Sequence, residues 1–174
     1  MKLQIDWSKL KKFFFWLIDW SEWLSPPVKC KIIKSNEKSL IGNSYYFFGL
    51  KDWRVKSPLE GAISKIYPNC ATIQITNNQG LQILLDIQVD KKKPMPLHKI
   101  MHCEVKEGEK VNKKTILFSV YLLDYIKYVS VYVPWQPELL DKVGKLERND
   151  KHCFVKISYR NPYTKLRFKK HGKY

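Results

Sequence analysis

Residues 71–89 constrain this chain more than any other stretch. Ala71-Thr-Ile-Gln-Ile-Thr76 alternates apolar and polar side chains, Asn77-Asn78-Gln79-Gly80 follows, and Leu81-Gln-Ile-Leu-Leu-Asp-Ile-Gln-Val89 begins a second run. Alternation with period two puts every second side chain on one face of a strand, and a short Gly-containing turn joins two such strands as an antiparallel hairpin. Further β-rich runs lie at 29–33, 44–50, 61–66, 115–121, 129–133 and 153–159, and one short helical stretch is expected at 136–143. So many strands at this spacing, in a chain of 174 residues, predict an all-β antiparallel sandwich or barrel. An apolar content of 44% is enough for a real core and excludes a disordered chain.

The two ends differ from this body. Residues 1–25 read as a helix that stops at Ser25-Pro26-Pro27, because proline lacks a donor and biases its predecessor away from αR. Its apolar arc, with Trp7, Phe14, Trp16, Trp20 and Trp23, covers more than half the circumference and needs more than one neighbour to bury it. Three readings stay open for this helix: docking to a partner protein, packing on its own sandwich, or peripheral contact with a membrane surface. At the other end, residues 151–174 hold eight cations and no acid, half of a formal net charge of +16. Lys165, Arg167, Lys169 and Lys170 are interleaved there with aromatic residues, a mixture suited to RNA or to an acidic protein groove. The expected division is residues 1–27 as an amphipathic helix, 28–159 as the β-sandwich and 160–174 as a basic aromatic tail.

Cys30, Cys70, Cys103 and Cys153 are scattered without a CxxC, which fits reduced thiols in the cytoplasm. The apolar run at 13–18 has no cleavage site behind it and is far short of the roughly 20 residues that span a bilayer. The expected location is therefore cytoplasmic, with peripheral contact at the inner membrane face if the helix meets lipid.

Val55-Lys-Ser-Pro-Leu-Glu-Gly-Ala-Ile-Ser-Lys-Ile-Tyr67 resembles the V-x-A-P-x-D-G-x-I-x-x-I-F of the glucose-family enzyme IIA domain of the bacterial sugar phosphotransferase system. The later segments come in a similar order. Leu81–Asp90 stands where the family has V-E-L-F-V-H-F-G-I-D. Val105-Lys-Glu-Gly-Glu-Lys-Val111 resembles E-E-G-x-x-V, a turn at 122–127 comes next, and Val129-Ser-Val-Tyr-Val133 resembles the strand after it. The resemblance covers residues 42–158. It implies a compact antiparallel β-sandwich of the enzyme IIA glucose type, a duplicated hybrid motif, with a shallow apolar face carrying two histidines. One takes a phosphoryl group from a small carrier protein and passes it to a cysteine of the sugar permease; the other supports it by hydrogen bonding.

Both histidine positions are changed here. Asp86 occupies the acceptor position and Cys70, in Pro68-Asn69-Cys70-Ala71, the companion position, while Gln88 replaces the glycine of H-F-G. A neutral imidazole attacks phosphorus readily, whereas carboxylates that do so usually rely on a divalent cation and a positioned lysine. The expected catalytic inventory is therefore empty, with Asp86 and Cys70 as degenerate relay positions, and no cofactor, metal or small-molecule substrate is expected. His98 and His102 with Cys103, and His152 with Cys153, make a poor metal set, because adjacent His-Cys pairs on strands point to opposite faces.

The function expected from these residues is that of a degenerate enzyme IIA-like subunit in a protein assembly. Its contacts would be the Trp-rich helix, the run Lys91-Lys92-Lys93 and the basic tail. The alternatives are a working phosphocarrier in sugar uptake with a non-standard acceptor, and a nucleic-acid or ribosome-binding module acting through the tail.

Overall fold

The computed structural model describes residues 21–37, 41–92, 94–149 and 152–160. They form thirteen strands: β1 (Ser21–Leu24), β2 (Cys30–Asn36), β3 (Gly42–Leu50), β4 (Arg54–Lys56), β5 (Gly61–Ile66), β6 (Thr72–Thr76), β7 (Gln82–Val89), β8 (Met101–Cys103), β9 (Lys110–Val111), β10 (Ile116–Val120), β11 (Ile126–Pro134), β12 (Leu140–Asn149) and β13 (His152–Tyr159). A four-residue helix α1 (Leu97–Ile100) and a 3-10 turn at Leu123–Tyr125 are the helical elements among the described residues. No helix among them is long and apolar enough to cross a membrane.

Every strand pairing is antiparallel. The strands make a seven-stranded sheet in the order β2-β3-β11-β7-β6-β5-β9 and two three-stranded sheets, β1-β13-β12 and β4-β10-β8. The expected hairpin is β6–β7: Thr76 faces Gln82 and Thr72 faces Asp86, and Asn77 closes the turn by accepting from Leu81 N.

Alternation decides which face of the large sheet is covered. Tyr45, Phe47, Ile73, Ile75, Ile83, Leu85, Ile87, Val129, Val131 and Val133 are all buried. They share one core with Leu24, Leu140, Val155 and Ile157 of one small sheet and with Val55, Leu117, Phe118 and Val120 of the other. The intervening residues, among them Tyr46, Phe48, Thr72, Asp86, Tyr128, Ser130 and Tyr132, form the opposite face and are partly exposed.

Two polar contacts tie the layers. Tyr45 OH donates to Gly144 O at 3.2 Å, joining β3 to β12, and burial pushes its phenol up to about 12. Asn77, 6% exposed, donates from Nδ2 to Glu22 Oε2 and to Tyr159 OH, each at 2.7 Å; Tyr159 OH in turn donates to the same carboxylate oxygen. Burial first, then the Glu22 carboxylate, raises the Tyr159 phenol above its ordinary range.

Two sequence expectations are corrected. The helix expected over residues 1–25 does not include its last turn: Ser21–Leu24 is β1, paired with β13. There Glu22 reaches the buried Asn77 and Leu24 is buried while Trp23 is exposed, which is strand periodicity. Residues 1–20 lie outside the described residues. The helix expected at 136–143 is a single turn, with Leu139 N and Leu140 N both bonded to Gln136 O, after which β12 begins. Gly144 holds that strand close to β13, since a Cβ there would stand 2.8 Å from Lys156 O.

Candidate functional site

The motif around Pro58 has a structural cause. Val55 and Leu59 are fully buried, Ser57 Oγ donates to Leu59 O at 2.7 Å, and Pro58 O accepts from Ser25 N at 2.8 Å. Gly61 lies against the β6 backbone, where an added Cβ would stand 2.4 Å from Thr76 O. These residues thread the chain under β6 and fix the base of the hairpin that carries Asp86.

Asp86 stands in the middle of the outer face. Its cross-strand neighbours are Thr72 on β6 and Ser130 on β11, and the row continues to Tyr46 and Lys34. Thr72 Oγ1 donates to Asp86 Oδ1 at 2.5 Å. The same hydroxyl accepts from Asn69 Nδ2 at 2.8 Å, and Asn69 Oδ1 accepts from the backbone of Ala71 and Thr72, each at 3.1 Å. An amide locked by two backbone donors thus orients a hydroxyl that occupies one oxygen of the carboxylate.

Cys70 is exposed and takes φ 52°, the left-handed region that a side chain disfavours. Its amide bonds to Tyr67 O at 2.8 Å, closing the β5–β6 turn, and its thiol is directed at Pro68 O, 3.6 Å away. The residue in contact with Asp86 is therefore Thr72, two positions beyond the one that the sequence singles out. Counting pairs outward from a turn at 77–80 would set Thr72 opposite Leu85; the connection is one residue longer, 77–81, and that shift brings Thr72 opposite Asp86. Gln88 faces Tyr128 across the strand pair.

An aromatic cluster borders the carboxylate. Tyr128 meets Tyr46 and Phe48 edge to face, with centroids 5.3 and 5.5 Å apart. Burial, then the charge of Asp86, raises the Tyr128 phenol.

The other sequence candidates lie apart. Trp23 is 38% exposed on β1, with Lys156 Nζ 5.6 Å from its ring centroid. Lys91 and Lys92 are exposed in the turn after β7, where Asp90 Oδ1 accepts from Lys92 N at 3.0 Å. Trp7, Phe14, Trp16, Trp20, Lys93, Lys165, Arg167, Lys169 and Lys170 lie outside the described residues. His98 is on α1 and His102 on β8, both exposed, and among the described residues no three His, Cys, Asp or Glu side chains gather into a metal-binding group. Cys103 is half buried; its thiol faces Val105 O at 3.5 Å and burial pushes it up.

No protein-family model matches the sequence, and no curated protein does either. Among solved structures, the glucose permease IIA from Mycoplasma capricolum is similar at a TM-score of 0.57 and 17% identity, over 78% of this chain and 95% of that one. At that identity the likeness establishes the fold: this chain is a mostly antiparallel β protein with an enzyme IIA-like architecture.

Proposed function

We propose that the chain is a catalytically degenerate enzyme IIA-like domain that works by docking a protein, through the outer face of its seven-stranded sheet, within a larger assembly. The observation that carries this reading is the state of Asp86. At the position that the resemblance gives to the phosphoryl acceptor stands a carboxylate whose Oδ1 is held by Thr72 at 2.5 Å. An acceptor oxygen must be free to approach phosphorus in line. Here the hydroxyl engages Oδ1, one of the two carboxylate oxygens, and Asn69 keeps the hydroxyl turned toward it. The surrounding face keeps the means to bind: half-buried rings of Tyr46, Phe48 and Tyr128, with Ile32 54% exposed beside them. Aromatic residues with an apolar neighbour are enriched at the centres of protein interfaces.

Photocross-linking in the native cell tests the docking half of the proposal. A benzophenone side chain at Ile32 is expected to capture one defined protein, and the same group at the exposed Lys142 of β12 is expected not to. Absence of any adduct at Ile32, or capture of nucleic acid alone, contradicts the reading.

A further inference from the structure

Three lysines on the outer face stand over aromatic rings. Lys34 Nζ lies 5.5 Å from the Phe48 centroid, Lys127 Nζ 6.0 Å from that of Tyr128, and Lys65 Nζ 4.7 Å from that of Tyr67. They are spread across the sheet: Lys34 on β2 faces Tyr46, Lys65 on β5 faces Gln74, and Lys127 sits at the irregularity where β11 meets β7. Asp86 shares its cross-strand row with Lys34, through Ser130 and Tyr46, and its Oδ1 is already bonded to Thr72.

We propose that the segment docked on this face is acidic: an extended stretch of polypeptide in which Asp or Glu side chains are interspersed with apolar ones. The inference rests on the docking reading and adds the chemistry of the partner. Ile32, Phe48 and Tyr128 supply apolar area to bury, and the ring-held lysines place donors around it. A cation over a ring face is attracted to it and keeps its remaining donors for a carboxylate. The formal charge of +16 would raise the encounter rate with an acidic segment. The same observations count against single-stranded nucleic acid, the other anionic polymer. Base stacking needs open ring faces. Here the rings of Phe48, Tyr128 and Tyr67 carry ammonium groups, and Tyr128 meets its neighbours at their edges. A carboxylate uses the lysine where it stands, while a base has to displace it.

The full chain is titrated with a soluble peptide of repeated Glu-Leu-Asp-Ser and with its counterpart carrying Gln and Asn for Glu and Asp, while calorimetry and amide NMR shifts are followed. A single-stranded oligothymidylate is titrated in parallel. The acidic peptide is expected to shift Ile32, Phe48 and Tyr128, and its neutral counterpart to bind at least roughly tenfold more weakly. Combining Lys34→Glu, Lys65→Glu and Lys127→Glu is expected to cause a similar loss. Because the Glu-to-Gln exchange leaves the protein untouched, the test survives a variant that fails to fold.

Equal binding of the neutral peptide, shifts confined to another surface, or tighter binding of the oligothymidylate to these residues would overturn the inference. A neutral or basic segment captured at Ile32 would overturn it while leaving the docking reading standing. No peptide moving this face, together with no adduct at Ile32, would remove both.

Discussion

Replacing Asn77 by alanine is expected to lower the stability of the fold by about 3–5 kcal/mol. Asn77 holds the β6–β7 turn and the β1–β13 layer at once. Its Oδ1 accepts from Gln79 N at 3.0 Å and Leu81 N at 2.8 Å, and its Nδ2 reaches Glu22 and Tyr159. Alanine leaves the Leu81 amide without its side-chain acceptor and the Glu22–Tyr159 pair without its donor, in a place where water has little access. A buried polar group stripped of its partner costs more than the bond was worth. Urea denaturation measures the effect as a lower midpoint with an unchanged slope. A loss below about 1 kcal/mol would show that the layers are not joined through this amide.

The second large effect is expected at Gly61. An alanine Cβ there would stand 2.4 Å from Thr76 O, 2.9 Å from Thr76 C and 3.1 Å from Asn77 Cα, which are backbone atoms of the neighbouring strand and cannot turn aside. β5 and β6 would have to separate, at a cost of about 2–4 kcal/mol in the same denaturation assay. The two sites meet at residues 76–77, so the double variant is expected to lose less than the sum of its parts. Wild-type stability in Gly61→Ala would mean that the motif glycine is not held by this close approach. This is also the physical reason that the sequence needs glycine after Pro58, independent of any chemistry at the site.

Much of the fold was legible because its central strands alternate cleanly and its turns are marked. The strand expected at 61–66 is β5 as it stands, and the β6–β7 hairpin turns where Asn77–Gly80 says it should. What the pattern hid were segments whose local signal points elsewhere. Ser21–Leu24 comes after a long apolar stretch and precedes two prolines, so it reads as a helix end, although Glu22 and Leu24 point inward as strand residues do. Pro137-Glu-Leu-Leu140 looks like a helix start, yet β13 captures the chain from Leu140 onward. Pairing with a distant strand overrides local preference, and no local window contains it.

The site was half legible. The position of Asp86 came from motif order, but its contact with Thr72 was not read, because the β6–β7 connection is one residue longer than Asn77–Gly80 and shifts the pairing by one. Cys70 could not be placed in the left-handed region from its residue type, since that conformation ordinarily falls to Gly or Asn. The outer aromatic face was hidden for another reason. Tyr45-Tyr46-Phe47-Phe48 is aromatic at every position, so alternation between a core face and an open one leaves no trace in the residue types.

The central claim is that an enzyme IIA-like sheet has kept its surface and lost phosphoryl transfer. Intact-mass spectrometry after incubation with phosphoenolpyruvate and the phosphotransferase relay enzymes tests it most directly, with an ordinary glucose-family IIA domain as the positive control. The control is expected to gain about 80 Da, one phosphoryl group, and this chain to keep its mass unchanged. A gain of the same size on this chain, abolished by Asp86→Asn or by replacing His98 and His102, would contradict the account.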